Sequence, residues 1–232
     1  MRTRLFQFFV FTLFIAVFTA ATAGETPASS PTADLRAWAV EQMPGGTVIT
    51  EAGALVITDV AGSTIWLREK LTVPVVINYD ATVVVQGGPR DRLSDLNCFW
   101  MASDPRSPQT PPFAPTLART GKFSDYDSLF TYYVGYGGNE NTTTRFRRYG
   151  GTSARPLLPE HDLRDQKFLL APNHTYRIEL TALPDGTVRF RRDDELIFEY
   201  RDPAPLRSGW FALRTVKSHL VIRNLRITHP PR

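Results

Sequence analysis

Apolar and polar residues alternate with a period of two along most of this chain. ALVITDV (54–60), STIWLRE (63–69), VPVVINYDATVVVQ (73–86) and DLNCFWMA (95–102) are short runs rich in β-branched and aromatic residues. Gly, Pro and Asp separate them, which predicts strands joined by turns. No stretch of helical length carries a 3.6-residue apolar stripe. ADLRAWAVEQM (33–43) comes nearest, and reads as an opening turn or strand.

The last quarter is the most regular. Tyr176, Ile178 and Leu180 alternate with Arg177, Glu179 and Thr181. Asp185-Gly186 marks a hairpin turn, and Val188 and Phe190 then alternate with Arg189 and Arg191. Asp193-Asp194 marks a second turn before ELIFEY, and DPAPLRSGWFALRTVKSHLVIRNLRI (202–227) supplies a proline-rich corner and two closing strands. Many antiparallel strands, each with one core face and one wet or ligand-bearing face, predict two packed sheets.

The ends refine the boundaries. MRTRLFQFFVFTLFIAVFTAATAGE opens with Arg2 and Arg4, continues apolar from Leu5 to Ala20, and closes on Ala21-Thr22-Ala23. That order of charge, apolar run and small residues predicts a secretory signal over residues 1–23, hence a secreted or periplasmic product without stable membrane association after cleavage. Residues 24–34, including TPASSPTAD, read as a disordered leader, and 35–229 as one β domain.

Charge excludes one class of partner. The chain has 27 Lys and Arg against 23 Asp and Glu, or +4. Loss of Arg2 and Arg4 would leave +2, too mild for a nucleic-acid protein, which needs a dominant basic face. The single cysteine, Cys98, cannot close an intrachain disulfide, and in LNCFWM it reads as a small buried hydrophobe. A monomer is expected.

Longer motifs carry a resemblance. The ending, with its His-x-Tyr strand, Asp-Asp-Glu turn, Asp-Pro-x-Pro corner and Ser-Gly-Trp-Phe strand, resembles the close of concanavalin-A-like jelly rolls. LNCFWMASDP (96–105), GKFSDYDSLFTYYVGYGGNENTTTRFRRYGG (121–151), RPLLPEHDL (155–163) and SGWFALRTVKSH (208–219) resemble the bacterial family of domain of unknown function 6250. The resemblance implies an all-β, concanavalin-A-like jelly-roll β-sandwich of two antiparallel sheets, and a place among secreted polysaccharide-processing proteins. It supplies no assigned reaction and no catalytic residues.

Candidate ligand contacts cluster in 132–151, where Tyr, Gly, Asn, Thr and Arg leave little purely apolar surface. If TTTRFRRY is a strand, Phe146 faces the core, and Arg145, Arg147 and Tyr149 share the open face. Jelly rolls that bind glycans do so on a concave sheet, where aromatic rings stack on sugars and Arg or Asn meets hydroxyls and carboxylates. Tyr136 and Asn139 join this candidate platform. Alternatively, it is a solvated strand whose arginines pair with Asp125, Asp127 or Glu160. In LNCFWM either Asn97 or Trp100 can face a ligand, not both; in SGWFALRT, Trp210 and Arg214 oppose the core-like Phe211, Leu213 and Thr215.

For catalysis, Glu160 and His161 adjoin on a proline-stiffened loop where acid–base work is chemically available, and Asp125 and Asp127 fall on one side if extended. Tyr133 adds a proton-carrying phenol. The Glu-x-Asp-x-x-Glu signature of jelly-roll glucanases is missing. β-Elimination on a uronate, with Arg or Asn neutralising the carboxylate and Tyr or His moving protons, therefore ranks slightly above hydrolysis. No cofactor is implied beyond a structural calcium, for which Asp125, Asp127 or Asn139-Glu140-Asn141 offer hard oxygen ligands without EF-hand spacing. The expected function is a polysaccharide lyase or glycoside hydrolase acting on a glycan that could contain uronate. The alternative is a non-catalytic glycan-binding module, which fits the same residues.

Overall fold

The computed structural model describes residues 30–231. Its strands run in chain order as β1 (Trp38–Gln42), β2 (Thr47–Glu51), β3 (Ala54–Thr58), β4 (Ser63–Thr72), β5 (Val75–Val83), β6 (Leu96–Ser103) and β7 (Phe130–Gly137), then β8 (Thr143–Gly150), β9 (Asp162–Leu163), β10 (Thr175–Ala182), β11 (Thr187–Arg192), β12 (Glu195–Arg201), β13 (Ser208–Thr215) and β14 (His219–Thr228). They form two antiparallel sheets of seven strands, ordered β1-β4-β13-β6-β7-β8-β9 and β12-β11-β10-β5-β14-β3-β2. This is the expected two-sheet jelly roll.

Period-two patterning determines what each strand buries. Cys98, Trp100, Val134, Phe146, Phe211 and Leu213 of the first sheet meet Ile57, Ile77, Tyr79, Ile178, Phe190 and Ile222 of the second in one core. Each large apolar side chain removed from water there contributes about 1.5–3 kcal/mol. Burial also pushes the Cys98 thiol up to about 12, so it packs as the inert hydrophobe its sequence context implies. In β6 the alternation breaks at Met101, whose φ is 54°, so Trp100 and Met101 both enter the core. Gly209 accommodates this irregularity: a Cβ there would lie 2.2 Å from the Met101 carbonyl carbon.

The outer face of the first sheet carries a second apolar cluster, including Trp66, Phe99, Tyr126, Tyr133, Tyr149 and Trp210. The segment 104–129 lies against it. Arg119 organises that segment, donating Nε–H to the Asp125 carbonyl, Nη1–H to the carbonyls of Pro112 and Leu117, and Nη2–H to Asp104. Burial alone would raise the Asp104 pKa. Hydrogen bonds from the side chain and backbone of Arg106 and from Arg119 outweigh it, bringing the carboxyl down to about 2.

ADLRAWAVEQM, expected as an opening turn or strand, supplies both: a short 3-10 turn at Leu35–Ala37, with Asp34 accepting from the Arg36 N–H at 2.9 Å, leads into β1. One boundary differs from expectation. Residues 30–34, expected in the disordered leader, instead dock on the sandwich. Thr32 is buried and donates to the Gly53 carbonyl at 2.9 Å, and Trp38 Nε1 donates to the Pro31 carbonyl at 2.9 Å. Side-chain hydrogen bonds outweigh the turn-forming composition. The expected signal, residues 1–23, lies outside the described residues.

Asp104→Asn tests the pinning of 104–129. The Asp104 carboxyl is depressed in the folded state, so its contribution is present above its ordinary pKa of 3.8 and is lost as pH falls through about 2. The variant is expected to be less stable at pH 7 by about 2 kcal/mol or more. In denaturant titrations across pH, the gap should narrow below about pH 4.

Candidate functional site

Strand register assembles a polar row across the outer face of the first sheet. Glu41 of β1 pairs with Thr64 of β4, Thr64 with Arg214 of β13, and Arg214 with Asn97 of β6. Asn97 pairs with Gly135 of β7, Gly135 with Arg145 of β8, and Arg145 with Asp162 of β9. The neighbouring row is aromatic, with Trp66, Ala212, Phe99 and Tyr133, and ends on Arg147. Segment 104–129 covers the aromatic end. Over the other end a cleft of about 190 Å³ opens, lined by Asp95, Asn97, Phe123, Tyr133, Asn139, Arg145, Arg147, Arg155 and Arg214 among others.

Glycine makes the floor. A Cβ on Gly135 would stand 2.8 Å from the Tyr133 hydroxyl, so any larger residue would fill the cleft or displace that ring. The turn between β7 and β8 supplies the rim. Asn139 holds a left-handed φ of 51° and donates Nδ2–H to Thr143 Oγ1 at 3.2 Å.

The cleft is cationic, and its arginines are held differently. Arg145 pairs with Asp162 at 2.7 Å, and Arg155 grips Asp127 with two bonds of 2.7 Å. Arg147 donates to the carbonyls of Arg155 and Pro156. Arg214, only 1 % exposed, donates Nη1–H to Thr64 Oγ1 at 2.8 Å and to the Gly121 carbonyl at 2.7 Å. Its guanidinium lies over the rings of Phe123 and Tyr126, 5.0 and 5.2 Å from their centroids. Burial lowers its pKa from the ordinary arginine value, opposed by nearby Tyr126 and Tyr133. Asp95, the carboxylate lining the cleft, accepts from Ser94 and Asn97 and pairs with Arg92 at 3.3 Å.

The structure sorts the sequence candidates. Asn97, Tyr133, Asn139, Arg145, Arg147 and Arg214 come together in the cleft. Tyr149 faces the same side but is buried against Tyr133, ring edge to face at 5.9 Å. Trp210 also faces outward, buried in the aromatic cluster under Lys70 rather than open as a sugar platform. Trp100 and Tyr136 lie on the opposite side of their strands, in the core between the sheets. Strand parity explains both: Trp100 follows Cys98 inward, and Tyr136 follows Val134.

The proposed acid–base groups do not converge. Asp125 and Asp127 sit on and beside a 3-10 turn instead of an extended strand. Asp125 accepts from Thr120 N and Oγ1, and Asp127 is held by Arg155. His161 lies on the core side of β8, edge-on to Phe146 at 4.9 Å and near Phe198 and Tyr200. Burial lowers its pKa, with Glu160 opposing. Glu160 itself is exposed. Among the described residues no three His, Cys, Asp or Glu side chains group as metal ligands would. Asn141, part of the candidate calcium turn, spends its amide on the backbone of Leu170.

Asp95, Phe123 and Arg155 are cleft residues that the sequence reading did not single out, although all three lie within or beside motifs that it did. Their contribution depends on loops folding back over the sheet, which no local pattern announces.

A two-sheet sandwich with a small polar cleft on the outer face of one sheet defines a jelly roll of the concanavalin-A and galectin type. Residues 57–225 match the domain of unknown function family DUF6250, and the chain belongs to that family. No curated protein matches. Among solved structures, a protein of unknown function with a galectin-like fold from Bacillus subtilis is 19% identical with a TM-score of 0.65, over 86% of this chain and 94% of that one. The carbohydrate binding module CBM66 from Bacillus subtilis is 15% identical with a TM-score of 0.54, over 82% and 94%. The carbohydrate recognition domain of Emp46p in its metal-free form is 14% identical with a TM-score of 0.55, over 87% and 92%.

Gly135→Ala should cost about 1–3 kcal/mol, because the packed Tyr133 ring cannot withdraw freely. A thermal melt is expected to show a Tm lower by roughly 2–10 °C.

Proposed function

We propose that this protein binds a saccharide in the cleft on the outer face of its first sheet and acts outside the cytoplasm as a recognition protein. The observation that carries this reading is the composition of the cleft. It gathers directional hydrogen-bonding side chains (Asn97, Asn139, Arg147 and Arg214) beside an aromatic wall of Phe123 and Tyr133. Sugar recognition uses fixed polar groups set beside aromatic surface in this way. Neighbours of the same fold include a carbohydrate binding module and a carbohydrate recognition domain, which supports the class. The secretory pattern of residues 1–23 supports the compartment.

Recognition fits the site better than turnover. General acid–base catalysis needs a group whose pKa lies near the working pH. Burial pushes the Tyr149 phenol up to about 12, and Tyr133 well above its ordinary value, with nearby Tyr149 and Asp95 adding to the effect. Asp95 is bonded on both oxygens, and His161 faces away. One observation favours the second reading, a lyase: Tyr133 and Arg147 stand directly opposite on paired strands, placing a phenol beside a cation that could neutralise a uronate.

Titration calorimetry of the protein against neutral and acidic oligosaccharides is expected to give binding to at least one, with no new reducing ends and no ultraviolet absorbance from unsaturated uronate. Arg147→Ala should weaken binding about tenfold, the loss of one charge-assisted hydrogen bond. Unsaturated product that disappears in Arg147→Ala would instead establish the lyase.

A further inference from the structure

The protein shows how its own arginines hold carboxylates. Arg36, Arg106, Arg145 and Arg155 each present the Nε/Nη2 edge to an aspartate, one nitrogen to each oxygen. This side-on fork is the geometry in which guanidinium and carboxylate match best. At Arg214 the same two atoms, Nε and Nη2, are buried without a protein partner, while Nη1 is spent on Thr64 and Gly121. Asn97, paired with Arg214 on the adjacent strand, has a buried Oδ1 without a partner, and its Nδ2 is fixed on Asp95. Both residues line the cleft, with these three atoms closed off from solvent, so a ligand meets them only as the cleft wall yields.

Buried donors and acceptors are rarely left unmet, and an unpaired buried cation is expensive. The guanidinium is kept in place by the faces of Phe123 and Tyr126 and by Nη1, not by a carboxylate of the protein. Arg147 adds a second cation with no carboxylate partner among the described residues. The cleft, about 190 Å³, is below the ~300 Å³ at which pockets for drug-sized ligands begin, which suits a single sugar ring.

Building on the carbohydrate-binding reading above, we propose that the ligand is an acidic sugar whose carboxylate seats side-on against Nε and Nη2 of Arg214, with Asn97 Oδ1 accepting from a neighbouring hydroxyl. Both a hexuronate and a terminal sialic acid carry that chemistry. A neutral sugar would leave the fork unmet, and its binding would be correspondingly weaker.

The test uses calorimetry with trigalacturonate, its methyl ester and sialyllactose. One of the two acids is expected to bind, and which one identifies the source of the carboxylate. If the uronate binds, its methyl ester should bind at least about tenfold more weakly, the loss of a charge-assisted fork. Arg214→Lys keeps the charge and removes the fork, and should weaken the acid by roughly ten- to a hundredfold. Because Arg214 is buried and that variant could unfold, Asn97→Asp provides a near-isosteric second test. Placing a carboxylate beside Arg214, it should weaken the acid at least about tenfold; because it also loses the bond to Asp95, its melting temperature should fall, and binding is read on protein shown to be folded by circular dichroism. Equal binding of acid and ester, or acid binding unchanged in Asn97→Asp, would overturn the proposal while leaving saccharide binding intact. Binding of neutral oligosaccharides alone would do the same. No binding of any saccharide would overturn both readings.

Discussion

The buried guanidinium of Arg119 is the contact on which the site depends. Its side chain is only 4% exposed and meets Asp104 and the carbonyls of Pro112, Leu117 and Asp125. A cation in that environment is costly unless its donors are met, and the chain from 104 to 125 wraps around it to meet them. The Arg119 backbone N–H then reaches the Glu41 carboxylate at 2.9 Å, which also accepts from Trp66 Nε1 and the Tyr126 hydroxyl. Burial raises the Glu41 pKa, and these hydrogen bonds oppose the rise. Two buried charges thus join the wrapped segment to β1 and to the aromatic face of the first sheet.

Where the segment lies decides where the cleft opens. It seals the aromatic half of the outer face and stops at Gly121 and Phe123. The Gly121 carbonyl holds one end of Arg214, and the Phe123 ring lies between Arg214 and Arg155, 5.0 and 4.6 Å from their guanidinium carbons. The same segment that buries apolar surface therefore also builds one wall of the polar site. Gly121 is suited to this seam: its φ is +96°, and a Cβ there would lie 2.7 Å from the Gly62 carbonyl oxygen. Stability and site geometry share these contacts.

The cleft carries more positive charge than its carboxylates offset. Arg145 and Arg155 are matched by Asp162 and Asp127, whereas Arg147 and Arg214 rest on carbonyls, a hydroxyl and ring faces. Such a site stores unmet hydrogen-bonding capacity in a region of low dielectric, where a matching anion gains most. The same burial raises the pKa of the Tyr133 phenol.

Much of the fold was legible in local pattern. Period-two alternation marked β10, β11 and β13, and the Asp185-Gly186 and Asp193-Asp194 turns fall where they were read, because a strand with one buried face must alternate and a tight turn needs particular residues. The same parity placed Arg145, Arg147 and Arg214 opposite Phe146, Phe211 and Leu213. It also distinguished Asn97 from Trp100 as exclusive alternatives without saying which faces out. Parity cannot follow a residue through a bulge such as Met101, nor choose which face of a sheet meets the other sheet. The second limit left Tyr136 and Trp100 as candidates although both face the core, and His161, on a 3-10 turn outside any strand, had no parity to follow. The strands, their turns and the sidedness of most residues follow from spacing along one chain and were legible there. Tertiary structure alone decided the cleft, because Arg214, Asn97, Gly135 and Arg145 meet only through pairing of four strands, and Phe123 joins them only through the fold of a distant loop.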